Sequence, residues 1–163
     1  MLDDEALLRE TTRYPNLVRW FESCCVRYGS APAFTCQGAT ITYAELNEYA
    51  SHFGTWLQSS MHLKAGDRIA IHLPNLLQFP VAVFGALKAG LVVVNTNPLY
   101  TREELKHQLL DADVKAVVTL ANSAHLIEKV LPETGIREVI ITELADLHPW
   151  PKSTLANFKA RYI

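Results

Sequence analysis

Four short runs, Ile69-Ala70-Ile71, Val92-Val93-Val94, Ala116-Val117-Val118 and Val139-Ile140-Ile141, punctuate the chain after its first third, and each is apolar without interruption. A strand with one wet face alternates apolar and polar side chains. A strand covered on both faces does not, and that is the habit of parallel sheets. The strands so predicted span 68–73, 91–95, 116–120 and 138–142. Helix signals stand between them. Residues 76–89 are apolar nearly all round and stop at Gly90. Thr101-Arg102-Glu103-Glu104 has the form of a capping box and opens a helix to about Asp111, and residues 123–131 make another. Strands and helices alternating over short links imply right-handed crossovers. The predicted fold class is therefore α/β: a doubly wound, mainly parallel sheet with helices on both faces.

The first part of the chain is patterned differently. Residues 15–28 repeat apolar side chains at helical steps (Leu17, Phe21, Cys24, Cys25, Tyr28) and end at Gly29. Two β runs, 33–36 and 39–42, flank Gln37-Gly38 and predict a short hairpin at a sheet edge. Thr42-Tyr43-Ala44-Glu45 is a second capping box, opening a helix expected to bury Leu46, Tyr49, Phe53, Trp56 and Leu57. Residues 143–153 hold Pro149-Trp150-Pro151 and read as a surface loop. Residues 155–163 then begin an amphipathic helix with neither cap nor glycine. The organisation expected is an arm over 1–14, an α/β subdomain over 15–145, and a loop with a truncated helix over 146–163. The chain reads as cut there, an incomplete subdomain.

Composition excludes several classes. With 49% hydrophobic and 20% charged residues the chain is globular rather than disordered. A formal charge of −2, without a basic stripe, gives no electrostatic case for nucleic acid. The longest wholly apolar run, 80–87, falls short of the roughly 20 residues that span a bilayer. The acidic start at Asp3-Asp4-Glu5 is unlike a secretion signal. Cys24, Cys25 and Cys36 form neither a C-x-x-C nor an even framework, and they read as small buried hydrophobes in a reducing compartment. The expected localisation is cytoplasmic. Lys152, Lys159 and Arg161 beside an apolar half-helix are a candidate peripheral contact with a membrane, set against an ordinary solvated helix face.

Catalytic chemistry is harder to find. In a doubly wound sheet the ligand loops follow the carboxyl ends of the strands. After the first core strand, Leu73-Pro74-Asn75-Leu76 lacks the glycines of a dinucleotide turn, and Asn75 reads as an N-cap. Gly85 and Gly90 have the spacing of a phosphate loop. However, Leu91 and Val92 replace the required Lys and Ser/Thr, so close packing at Gly85 and a helix stop at Gly90 are expected instead. Asn95-Thr96-Asn97-Pro98-Leu99-Tyr100 reads as a structural turn, and Asp111 and Asp113 as solvated surface. The six histidines never fall in a metal-ligand spacing, and no G-x-S-x-G elbow marks a nucleophile. The expected catalytic, cofactor-binding and metal-binding residues are none.

The same loops carry a resemblance. Residues 73–90 (LPNLLQFPVAVFGALKAG) and 92–105 (VVVNTNPLYTREEL), with 42–46 (TYAEL) and 64–68 (KAGDR) in the same order, resemble the opening region of the acyl-adenylate-forming enzymes. Within these the likeness is greatest to bacterial long-chain fatty acid–CoA ligases, and it runs from about Pro15 to Ile163. The resemblance implies a two-step reaction in a full-length parent. ATP and a fatty acid form an acyl-adenylate and pyrophosphate; coenzyme A then takes the acyl group and AMP leaves, with Mg²⁺ offsetting phosphate charge. It implies ATP, Mg²⁺ and coenzyme A for the parent and none for this stretch. The family's phosphate loop, acyl tunnel and catalytic lysine have no counterpart in these residues. The expected partners are the remainder of the parent, its fatty acid substrate and a second copy in a homodimer. A stand-alone α/β binding module or an interaction protein is the alternative.

Overall fold

The computed structural model describes residues 13–148 and Asn157. Helix α1 (Leu17–Tyr28) leads into strands β1 (Pro32–Cys36) and β2 (Ala39–Thr42), then α2 (Tyr43–Ser59). Strand β3 (Arg68–His72), helix α3 (Gln78–Lys88), strand β4 (Val92–Asn95), helix α4 (Arg102–Asp111) and strand β5 (Ala116–Leu120) follow in alternation. A 3₁₀ turn, Ala121–Ser123, precedes α5 (Ala124–Val130), and β6 (Glu138–Thr142) closes the series. Strands β3 to β6 form a four-stranded parallel sheet in the order β4-β3-β5-β6.

Strand residues alternate between two cores. Ile69, Ile71, Ala116 and Val118 face α2 and α3 together with Leu57, Ala82 and Ala86. Ala70 and Val117 face α4 and α5 through Leu105, Leu109, Ile127 and Val130. Helices on both faces make the sheet doubly wound, as the uninterrupted apolar runs predict. The central strands carry that prediction fully. The outer strands β4 and β6 are only half covered, and Val92, Val139 and Ile141 are exposed. An edge strand lacks one neighbour, so its apolar run does not guarantee two dry faces.

Both predicted capping boxes form. The Thr42 hydroxyl accepts from the Glu45 amide at 3.2 Å, and the Glu45 carboxylate accepts from the Thr42 amide at 2.8 Å. Thr101 and Glu104 repeat the pair at the head of α4. Beyond α4, Arg102 and Lys106 both pair with Glu133, tying that helix to the segment after α5.

Several expectations need correction. The hairpin β1–β2 is a separate two-stranded sheet, not an edge of the parallel one. It packs on α1, α2 and α3 through Ala39, Ile41, Phe21 and Leu77. On α1 only Phe21 and Cys25 are buried, while Leu17 and Tyr28 stay exposed. The buried face of α2 is Leu46, Ala50, Gly54 and Leu57, with Trp56 left 38% exposed. Small residues occupy that face because α3 crosses there at backbone contact. A Cβ on Gly54 would lie 2.7 Å from the Gly85 carbonyl oxygen, and one on Gly85 would lie 2.9 Å from that of Ala50. The expected close packing at Gly85 is present, and Gly90 turns the chain out of α3 with φ +77°. Lys88 at the end of α3 donates to Glu22 of α1 and Ser51 of α2, binding the three helices together. Helix α5 begins within one residue of its expected start, behind the 3₁₀ turn.

The segment 143–148 is also better held than a surface loop. Ala145 is fully buried, and Gln78 Nε2 donates to the Glu143 carbonyl at 2.7 Å. The predicted helix over 155–163, with Lys152, Lys159 and Arg161, lies outside the described residues apart from Asn157. That side chain accepts from the Ala145 amide and donates to Asp146.

Candidate functional site

At the carboxyl edge of the sheet, three polar side chains lie at or beside the ends of three neighbouring strands, on the face toward α4 and α5. His72 ends β3, Thr119 lies in register with it on β5, and Thr96 follows β4. All three are buried, His72 to 1% exposure and Thr119 to 0%. His72 Nδ1 and the Thr96 hydroxyl are 2.8 Å apart. The Thr96 hydroxyl also lies 3.4 Å from the Ile71 carbonyl, to which it can only donate. The direction of the His72–Thr96 bond follows the imidazole tautomer: Nδ1 donates to the hydroxyl in one and accepts from it in the other. Neither His72 Nε2 nor Thr119 Oγ1 has a hydrogen-bond partner among the described residues.

Burial holds the His72 imidazole below the usual histidine range. Unfolded chains bind the proton more readily, so this contribution to stability is complete above about pH 6.5 and lost as pH falls toward the folded value. Thermal denaturation between pH 7.5 and 5 is expected to show stability falling below pH 6.5, by at most about 1.4 kcal/mol per pH unit. His72→Leu should flatten that slope. The carboxylates with lowered values, Glu45, Glu104, Glu133 and Asp113, lose their contributions at lower pH, because their own ordinary values are lower.

The strand-end loops are held by local contacts. Asn75 does not cap α3: the N-cap position is Leu77, with no side-chain bond. Pro74 and Asn75 instead turn the chain so that Leu76 and Leu77 are buried beneath them. Asn97 makes the expected structural turn, accepting from the Leu99 amide with its side chain and from the Tyr100 amide with its carbonyl. Asp111 and Asp113 are exposed, and Asp113 pairs with Lys115 at 2.5 Å. Of the cysteines, only Cys25 is fully buried, with its thiol pushed up to about 11 mainly by burial. Cys24 and Cys36 are half-buried, and all three are free.

The resemblance implies a nucleotide with Mg²⁺ for the parent and none for this stretch. The head of α4 is occupied by its own Glu104 carboxylate, where a phosphate would meet like charge. Among the described residues no three His, Cys, Asp or Glu side chains group to hold a metal ion. No helix among them is long and apolar enough to cross a membrane.

Known proteins share this architecture. The chain is 47% identical over 151 residues to a long-chain-fatty-acid–CoA ligase of Escherichia coli O157:H7, covering 93% of this chain and 27% of that protein. It is 35% identical over 129 residues to the Bacillus subtilis enzyme of the same description, covering 79% of this chain and 23% of that one. The solved structure of a benzoate CoA ligase from Burkholderia xenovorans LB400 superposes with TM-score 0.73 at 24% identity, over 79% of this chain and 26% of its own. A long-chain-fatty-acid-CoA ligase from Archaeoglobus fulgidus gives TM-score 0.68 at 18% identity, over 75% of this chain and 26% of its own. The fold is thus that of adenylate-forming ligases, and the chain spans about a quarter of the length of these relatives. Residues 21–162 match the AMP-binding enzyme model, and the chain belongs to that family.

Proposed function

We propose that the chain is the opening part of a long-chain fatty acid–CoA ligase and serves as its sheet-and-helix brace, with no catalytic, cofactor-binding or metal-binding residue of its own. The observation that carries this reading is 47% identity maintained over 93% of the chain against only 27% of the relative. The parent would condense ATP and a fatty acid to an acyl-adenylate, release pyrophosphate, and pass the acyl group to coenzyme A. This part contributes rigidity. The α2–α3 crossing at Gly54 and Gly85 and the two-sided core around β3 and β5 hold fixed the strand ends that the remainder of the parent would pack against. A cytoplasmic setting accords with three free cysteines.

The purified chain, given labelled ATP, palmitate and Mg²⁺, is expected to release no pyrophosphate above the enzyme-free rate. Adding coenzyme A should yield no acyl-CoA. Turnover by the chain alone would overturn the assignment of a brace without a site.

A further inference from the structure

Where the chain leaves β6 it borders an apolar groove of about 160 Å³ between the sheet and its helices. Among the described residues, Phe53 of α2, Val81 and Ala82 of α3, Val118 of β5 and Ile140 of β6 line it, with Asp146 and Leu147 from the segment after β6. Asn157 is fixed beside the same segment. Its carboxamide accepts from the Ala145 amide at 2.7 Å and donates to Asp146 at 3.0 Å, so both ends of the group are used. Asp146 is held from its other oxygen by the Thr142 hydroxyl and the Glu143 amide. This clamp returns the chain at residue 157 to the lining of the groove, and residue 158 follows one Cα step of about 3.8 Å later.

We propose that the occupant of this groove is the chain's own stretch 158–163, seated through the phenyl ring of Phe158. A cavity of about 150 Å³ lined by aliphatic and aromatic side chains takes up a benzene molecule, so the space suits one aromatic ring. Phe158 is the aromatic residue next to the clamp, and its ring has no polar atom to satisfy against an apolar lining. Tyr162 would bring a hydroxyl that needs a partner. Any residue farther along the chain would close a longer loop from the clamp, at a greater entropic cost. Asn157 thus supplies the polar anchor and Phe158 the apolar one. The inference does not depend on the ligase reading.

Nuclear magnetic resonance of the 163-residue chain, with its Ala, Val and Ile methyl groups labelled, tests it. Overhauser contacts are expected from the Phe158 ring to methyl groups of Ala82, Val118 and Ile140. A mixture of labelled and unlabelled copies, filtered for contacts between molecules, should show none of them. F158A should shift those three methyl signals through loss of the ring. It should also speed hydrogen exchange of the Ala145 amide by about tenfold, the equivalent of losing one well-made contact. F158L should recover the slow exchange without recovering the ring shifts. V26A, at a position 88% exposed on α1, should change neither readout. Contacts from Trp150 or Tyr162 in place of Phe158, contacts found only between copies, or groove methyl signals unmoved in F158A would each overturn the proposal.

Discussion

The Gly54→Val variant is expected not to fold. Gly54 on α2 meets Gly85 on α3 with backbone against backbone. Even a single added Cβ at residue 54 would lie 2.7 Å from the Gly85 carbonyl oxygen and 3.5 Å from its carbon. The obstructing atoms are main chain within a helix, so they cannot swing aside as the end of a side chain would. Relief requires the helices to part, which opens the core that Leu57, Ala82 and Ala86 share with β3 and β5. Overpacking of this kind costs roughly 1–3 kcal/mol, and more where relaxation is blocked. Alanine at residue 54 regains about 1 kcal/mol of helix propensity, so Gly54→Ala should lose a net amount of about 2 kcal/mol. Valine adds two methyl groups at the same place. Against a total stability of about 5–15 kcal/mol, that is enough to abolish a cooperative transition. Denaturant titration followed by circular dichroism should show Gly54→Ala less stable than wild type and no cooperative transition for Gly54→Val. A Gly54→Ala chain as stable as wild type would show that α2 and α3 do not meet at this point.

Two isoleucines, chemically identical and both in strands, are expected to differ sharply. Ile69 of β3 is fully buried between α2/α3 and the central sheet, while Ile141 of β6 is 56% exposed. Truncation of a buried isoleucine removes transfer free energy and leaves a cavity, at a cost of about 2–5 kcal/mol. At the exposed edge the same change should stay within about 0.5 kcal/mol when measured on dilute protein. Urea midpoints at an unchanged m-value check both. Equal losses at the two positions would contradict the strand order β4-β3-β5-β6, in which β3 is central and β6 is an edge.

Local signals in the sequence carried much of this architecture. Strands β5 and β6 fall at the residues their apolar runs predict, and both capping boxes close because each needs only four consecutive residues. Gly90 marks its helix stop for the same reason. What was illegible depends on partners distant in the chain. Trp56 has the right spacing for the core face of α2, but the proximity of α3 reserves that face for Ala50 and Gly54 and leaves Tyr49 only partly buried at its side. Asn75 has the chemistry of a cap, yet the burial of Leu76 and Leu77 delays α3 to Gln78. Strand order decides which apolar runs are covered twice, and no single run encodes its place in that order. The His72, Thr96 and Thr119 layer was missed because its residues lie 24 and 23 positions apart and meet only across β4, β3 and β5. The one available signal was a polar residue ending each otherwise apolar run.

The most direct test of the brace is complementation. A long-chain-fatty-acid–CoA ligase relative lacking the 151 residues that match this chain would be assayed for pyrophosphate release with ATP and palmitate, alone and with this chain added. The expected result is no turnover by either part and measurable turnover by the mixture, weakened when the added chain carries Gly54→Ala. Full activity of the shortened relative without this chain, or activity of this chain by itself, would contradict the account.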